Sequence, residues 1–237
     1  MSEFEKYATD GAYHWVQADP SPGNTRYNAP LAARYQALVG ALKAPRGLFL
    51  DVGCGDGYLI YALRQAGVGR VMGLDDNRLG VHLAAEQLRA RYEAQNLVLR
   101  GSTYALPYAN ATFDGITLAD VIEHLQDPAH AVMEMARVLK PGGVLALSTP
   151  NWHPQRPLSR FHVQEFKPQE LRDLLAPHFA RVDIWGCWHA RWLAAWKAGG
   201  WQRQGINTLA RYGWNPLGRV TARVTLQHEQ LIVLAWR

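Results

Sequence analysis

The chain has 237 residues, is 48% hydrophobic and carries a formal net charge of +5. That is the length of one large domain or of one core with an insertion, and its apolar content excludes a disordered chain. Two cysteines, Cys54 and Cys187, exclude a disulfide framework, and no apolar stretch reaches the ~20 residues a membrane-spanning helix needs.

Residues 1–30 place Gly11, Pro20, Pro22, Gly23 and Pro30 among aromatics and read as a leader of loop with short helical pieces, followed by a helix over 31–42. Strands are predicted near 47–52, 69–75, 96–100, 112–118, 143–149, 180–185 and 230–236. Alternation of the first five with helices implies a parallel sheet covered on both faces. Leu48 to Leu50 with Val52 form the first buried strand and Leu59 to Leu63 open a helix, so Asp51-Val52-Gly53-Cys54-Gly55-Asp56-Gly57-Tyr58 is a strand-to-helix turn. Glycines at the carboxyl end of such a strand let a ligand approach the backbone closely. A dinucleotide fingerprint would place a glycine where Tyr58 stands.

The Asp-x-Gly-x-Gly-x-Gly loop, with Asp75 ending the next strand, resembles the class I S-adenosylmethionine-dependent methyltransferases. Ala105-Leu106-Pro107-Tyr108, Phe113-Asp114-Gly115, Val121-Ile122-Glu123-His124-Leu125, Ala136-Arg137-Val138-Leu139-Lys140-Pro141-Gly142-Gly143 and Ser148-Thr149-Pro150-Asn151 extend the likeness to their type 11 branch over roughly residues 30–185. The resemblance implies an α/β, Rossmann-like sheet of seven strands, mostly parallel with an antiparallel last strand, and S-adenosylmethionine as cofactor. It also implies a leader (1–30) folded over the cofactor, a core (31–186 and 227–237) and an insertion (187–226). With no secretory hydrophobic run at either terminus, a cytoplasmic protein is expected.

In that reading Asp51 accepts from the cofactor's ammonium, and the backbone around Gly53, Cys54, Gly55 and Gly57 leaves room for its methionine portion. Asp75, with Asp76 beside it, accepts from the ribose hydroxyls, a pairing that suits a carboxylate; the alternative is a helix cap. The family's adenine-binding Asp is replaced in Gly101-Ser102-Thr103-Tyr104-Ala105-Leu106-Pro107 by Ser102, whose hydroxyl can still accept. Thr103, Tyr104 and Ala119 complete the expected contacts, and Arg34, or else Arg26, is expected on the methionine carboxylate.

Methyl transfer to oxygen needs a base, and Asp120, Glu123 and His124 are spaced to share one face of a helical turn just past the fourth strand. His124, with Glu123, is the candidate catalytic group because its unperturbed pKa lies near working pH. The same three residues resemble the Glu-x-x-Glu-His metal site of the ubiquinone-pathway O-methyltransferases and are a candidate Mg²⁺ site. The alternative is a histidine that caps or packs. His153 and His162 are lesser candidates, and their plainer reading is as locally bonded loop histidines. The Asn/Asp-Pro-Pro-aromatic motif of base methylation is absent, which disfavours a nucleic-acid partner.

Between Cys187 and Leu226 lie Arg191, Lys197, Arg203, Arg211, Arg219 and Arg223 and no acidic residue. Trp188, Trp192 and Trp196 would form one stripe on a helix. A core or lid role is the plain reading; peripheral membrane contact and nucleic-acid stacking are the others. Together these features point to O-methylation of a small apolar or aromatic molecule. N- or C-methylation and a non-catalytic cofactor-binding partner subunit stand as alternatives.

Overall fold

The computed structural model describes residues 6–42, 47–92 and 97–237. The leader forms two short helices, α1 (Lys6–Asp10) and α2 (Tyr13–Ala18), before α3 (Ala29–Ala41). Asn28 caps α3 by accepting from the Leu31 amide at 3.0 Å, and Pro30 occupies its first turn, where a missing N–H costs nothing.

The sheet follows as β1 (Gly47–Val52), β2 (Gly69–Asp75), β3 (Val98–Arg100), β4 (Phe113–Ala119), β5 (Leu139–Pro150), β6 (Arg181–His189) and β7 (His228–Trp236). Its order is β3-β2-β1-β4-β5-β7-β6, with β7 antiparallel to both neighbours and the remaining pairs parallel. The expected seven-stranded, mostly parallel sheet is therefore present. Helices α4 (Tyr58–Gln65), α5 (Arg78–Arg89), α6 (Pro128–Val138) and α7 (Pro168–Leu175) complete the core, and α8 (Ala190–Ala198) and α9 (Gly200–Arg211) lie between β6 and β7.

Alternation along the strands sends residues to two apolar layers. Leu50, Ile116, Leu118, Leu145 and Leu147 pack with Val132 and Met135 of α6 and Leu171 and Leu175 of α7. Phe49, Val71, Val144 and Ala146 pack with Leu38 of α3, Ile60 and Leu63 of α4 and Leu88 of α5.

Three expectations change. The fifth strand begins at Leu139 rather than near 143, because Leu139 pairs with Phe113 before a register shift restores pairing at Gly115 and Val144. The third strand begins at Val98; position 96 lies outside the described residues. The sixth strand runs on to His189, which pairs with His228, so Trp188 belongs to the sheet and shares no helical stripe with Trp192 and Trp196. The segment expected over 187–226 thus opens on strand residues.

Helices α8 and α9 bury Leu193, Ile206 and Ala210 against Tyr27, Ala29, Ala32 and Ala33 at the start of α3. Asn207 joins the pieces: its amide donates to the Tyr27 carbonyl at 2.8 Å, and its oxygen accepts from Trp196 Nε1 at 2.8 Å and the Ala29 amide at 3.3 Å.

Candidate active site

The glycine loop spans the carboxyl end of β1 and the start of α4. The Gly53 amide donates to the Leu74 carbonyl at 2.7 Å, which ties the loop to the end of β2. Gly53, Gly55 and Gly57 all hold positive φ (71°, 53° and 80°), backbone that other residues rarely adopt. A Cβ at Gly55 would run into the Tyr7 hydroxyl, and one at Gly53 into Val121, so leader, loop and the β4 exit converge here.

Asp75 accepts from the Gly55 amide at 2.7 Å and the Asn77 amide at 2.8 Å. Burial, the largest cause, raises its pKa. The cap of α5 is Asn77, which accepts from the Gly80 amide at 2.8 Å, so neither Asp75 nor the exposed Asp76 serves that purpose. Asp51 is buried, accepts from Thr117 Oγ1 at 2.6 Å, and is pushed up to about 7 by desolvation. These carboxylates, unpaired with any cation among the described residues, suit a ligand that brings an ammonium and ribose hydroxyls. Cys54 is buried, and burial raises its thiol pKa well above the usual range, so it contributes shape and no nucleophile.

At the other end of the loop, Ser102 Oγ accepts from the Tyr104 amide at 3.2 Å. Tyr104 Oη accepts from the Gln126 and Asp127 amides at 3.0 and 3.3 Å, joining the segment after β3 to the one after β4. Thr103, between them, and Ala119, at the end of β4, are half-buried.

The residues expected to share a helical face do not. Asp120 adopts left-handed backbone (φ 52°), and only Ile122–His124 form a 3-10 turn. The Asp120 carboxylate pairs with Arg34 and accepts from Ser148 Oγ at 2.7 Å and Gln230 Nε2 at 2.6 Å. Arg34 is thereby placed by an ion pair; Arg26, on the leader loop, forms none among the described residues. Glu123 is buried, accepts from Thr149 Oγ1 at 3.0 Å, and is pushed well above the carboxylate range by burial and then by Asp120. The groups that do converge are Glu123, His124 and His162, whose potential ligand atoms lie within 4.8 Å of one another. Asp120, held by Arg34, Ser148 and Gln230, stands outside that group, so the donor set expected from Asp120, Glu123 and His124 is not assembled.

His124 Nδ1 lies 2.7 Å from the Phe161 carbonyl, which can only accept, so Nδ1 carries the proton and Nε2 the lone pair. Desolvation lowers its pKa and keeps it neutral. His162 stands edge-on to it, ring centroids 5.1 Å apart, with Nδ1 2.9 Å from Glu165 Oε1. His153, bonded to the Gln155 amide at 3.2 Å, and His162, bonded to Glu165, are both locally bonded as expected, and His162 also lines a cavity.

That cavity encloses about 450 Å³ between the leader, the segment after β5 and α8. Tyr13, Leu31, Trp188 and Leu193 supply apolar wall, and Lys6, His14, Arg34, Arg156, His162, Glu165 and Lys197 supply charge or hydrogen bonds. Arg34 Nε and Trp188 Nε1 are buried donors without a hydrogen-bond partner among the described residues. His14 links cavity and loop: its amide and Nδ1 lie 2.9 and 3.1 Å from the two oxygens of the buried Asp56. Trp15 Nε1 adds a 2.7 Å bond to the Asp56 carbonyl. Sequence reasoning missed His14 and Asp56, whose only signal was an acid inside the glycine loop and an aromatic-rich leader.

Fold and loop together define a Rossmann-like methyltransferase domain, and residues 50–147 match the family model described as a methyltransferase domain. A probable S-adenosylmethionine-dependent methyltransferase of Mycolicibacterium smegmatis is 38% identical over 151 residues, 61% of this chain and 56% of that protein. Another, from Mycobacterium tuberculosis, is 35% identical over 168 residues, 66% of this chain and 58% of that one. The chain thus spans little more than half the length of these relatives. A Thermotoga maritima S-adenosylmethionine-dependent methyltransferase shares the fold at TM-score 0.65 and 16% identity, covering 98% of this chain and 97% of that one. Phosphoethanolamine N-methyltransferase 2 of Haemonchus contortus, solved with S-adenosylmethionine, superposes at TM-score 0.66 and 18% identity, covering 99% and 58%. Residues 50–147 are thus a methyltransferase domain, and the chain resembles the class I S-adenosylmethionine-dependent methyltransferases.

Proposed function

We propose that this protein transfers the methyl group of S-adenosylmethionine to an oxygen of a small amphiphilic molecule held in the cavity beside the glycine loop. The observation that carries the reading is His14, which lines the cavity and also binds Asp56 in the loop. Acceptor chamber and cofactor loop therefore share a wall.

The bound cofactor supplies a carbon activated for in-line displacement by its sulfonium. The chain supplies alignment, exclusion of water and removal of a proton. Asp75 and Asp76 would hold the ribose, Asp51 the ammonium, Arg34 the methionine carboxylate, and Ser102, Thr103, Tyr104 and Ala119 the adenine end, with Gly53, Cys54, Gly55 and Gly57 as the floor. The unpartnered Nε–H of Arg34 supports its assignment.

On the acceptor side the wall mixes aromatic surface with cations, so the substrate is read as an apolar or aromatic body bearing an anionic or hydroxyl group. His162, oriented by Glu165 and lining the cavity, takes the acceptor's proton, with His124 packed edge-on against it and Glu123 behind. The test is S-adenosylhomocysteine formation over a panel of phenolic and hydroxylated acids. His162→Ala is expected to lower kcat by about 10²–10⁴-fold with cofactor affinity unchanged. Full turnover in both His162→Ala and His124→Ala would contradict proton removal by this pair and favour methylation of a neutral nitrogen.

A further inference from the structure

The insertion between β6 and β7 buries one face of α9 and, among the described residues, leaves the other exposed. Ile206, Asn207 and Ala210 turn inward against α3. At 100° per residue, Trp201, Thr208 and Tyr212 fall on the opposite side. Trp201 is 80% exposed and Tyr212 86%, in a molecule that buries most of its other large aromatics at least in part. Trp192, at the start of α8, meets Trp214 edge-on with centroids 5.9 Å apart, and both are exposed. Val220 and Leu226, between α9 and β7 in the chain, are exposed as well.

Charge on this segment is one-sided. No Asp or Glu occurs between Asp183 and Glu229. Arg191, Lys197, Arg219 and Arg223 are exposed and, among the described residues, pair with no carboxylate. Elsewhere Arg137, Lys140, Arg156 and Arg181 each find an acid.

We infer that the outer face of α9, with the Trp192–Trp214 pair, docks the protein on a bilayer surface rich in anionic phospholipid. Tryptophan and tyrosine rings suit the headgroup boundary, where one edge is apolar and the other hydrated, and unpaired Arg and Lys are attracted to acidic headgroups. A second copy of the chain is the poorer occupant. A twofold contact through this surface would set cations against the same cations with no acid in the segment to neutralise them. Since no described helix is long and apolar enough to cross a membrane, the contact is peripheral. Leu193, Trp196 and Lys197 of α8 also line the cavity, so docking would bring the acceptor chamber near the lipid.

The test is sedimentation of the whole protein with vesicles of phosphatidylglycerol and phosphatidylcholine in equal parts, beside vesicles of phosphatidylcholine alone. The protein is expected to pellet with the anionic vesicles, to bind the neutral ones about tenfold more weakly, and to be released by high salt. A variant carrying Trp201→Ala, Tyr212→Ala and Trp214→Ala is expected to lose binding by about tenfold or more while keeping the thermal midpoint of the parent. No pelleting with anionic vesicles would overturn the inference, as would a variant that pellets like the parent. A dimer in light scattering that these substitutions dissolve would overturn it in favour of self-association.

Discussion

At Asp51 the carboxylate sits beside Thr117 with Asp75 as its charged neighbour, and burial lifts its pKa to about 7. Because that value exceeds the roughly 3.9 of an unfolded Asp, the stability it confers is complete below about pH 4 and is lost as pH rises toward 7. A cofactor ammonium reverses the balance by favouring the ionised form. Cofactor affinity is therefore expected to rise with pH up to about 7 and then level off, with proton release visible as a buffer-dependent heat in calorimetry. Asp51→Asn is expected to raise the apoprotein's melting temperature at alkaline pH by about 2–4 °C per kcal/mol of relieved desolvation, and to flatten the affinity profile. Asp120, held by Arg34, Ser148 and Gln230, is committed to positioning, and burial with Asp120 beside it pushes the Glu123 carboxyl well above the usual range. Treatment with EDTA is accordingly expected to leave turnover unchanged; loss restored by Mg²⁺ would show that a metal rearranges these groups.

Among the elements, the insertion is fastened to α3 through Asn207 and a small apolar cluster. Asn207→Ala strands the Tyr27 carbonyl and Trp196 Nε1 and is expected to cost about 1–3 kcal/mol. Hydrogen exchange should then quicken across α8 and α9 while the sheet stays protected; uniform quickening would show that the insertion is integral to the core. The glycine loop was legible in the sequence because its strand, turn and helix are contiguous and each leaves a local signature. Trp188 was misread because its spacing to Trp192 and Trp196 fits a helix, while the β6–β7 ladder continues to His189 and decides the matter. His162 was read as a locally bonded loop histidine, which its bond to Glu165 agrees with, but its place beside His124 was not legible. It meets His124 only because the segment after β5 folds back, with the Val163 amide donating to the Glu123 carbonyl at 2.8 Å, and no local pattern encodes such a long-range contact.

Over the whole molecule, strand order explains why the candidate groups meet. β1 lies between β2 and β4, with chain progression running outward in opposite directions on its two sides. The carboxyl ends of β1, β2 and β4 then present Asp51, Asp75 and Asp120 at one edge, the switch point where open α/β sheets bind ligands. The leader and the insertion meet each other and form much of the cavity lining, which is why the cofactor is legible in the core motifs and the acceptor is not. The central claim rests on Asp75 as the ribose partner. Equilibrium binding of S-adenosylmethionine by calorimetry, wild type against Asp75→Ala at about pH 8, tests it most directly. The account predicts saturable one-site binding that weakens by about 10- to 100-fold in the variant, the loss expected for charge-assisted hydrogen bonds to two hydroxyls. Absence of binding to the wild type, or equal affinity in both proteins, would contradict it.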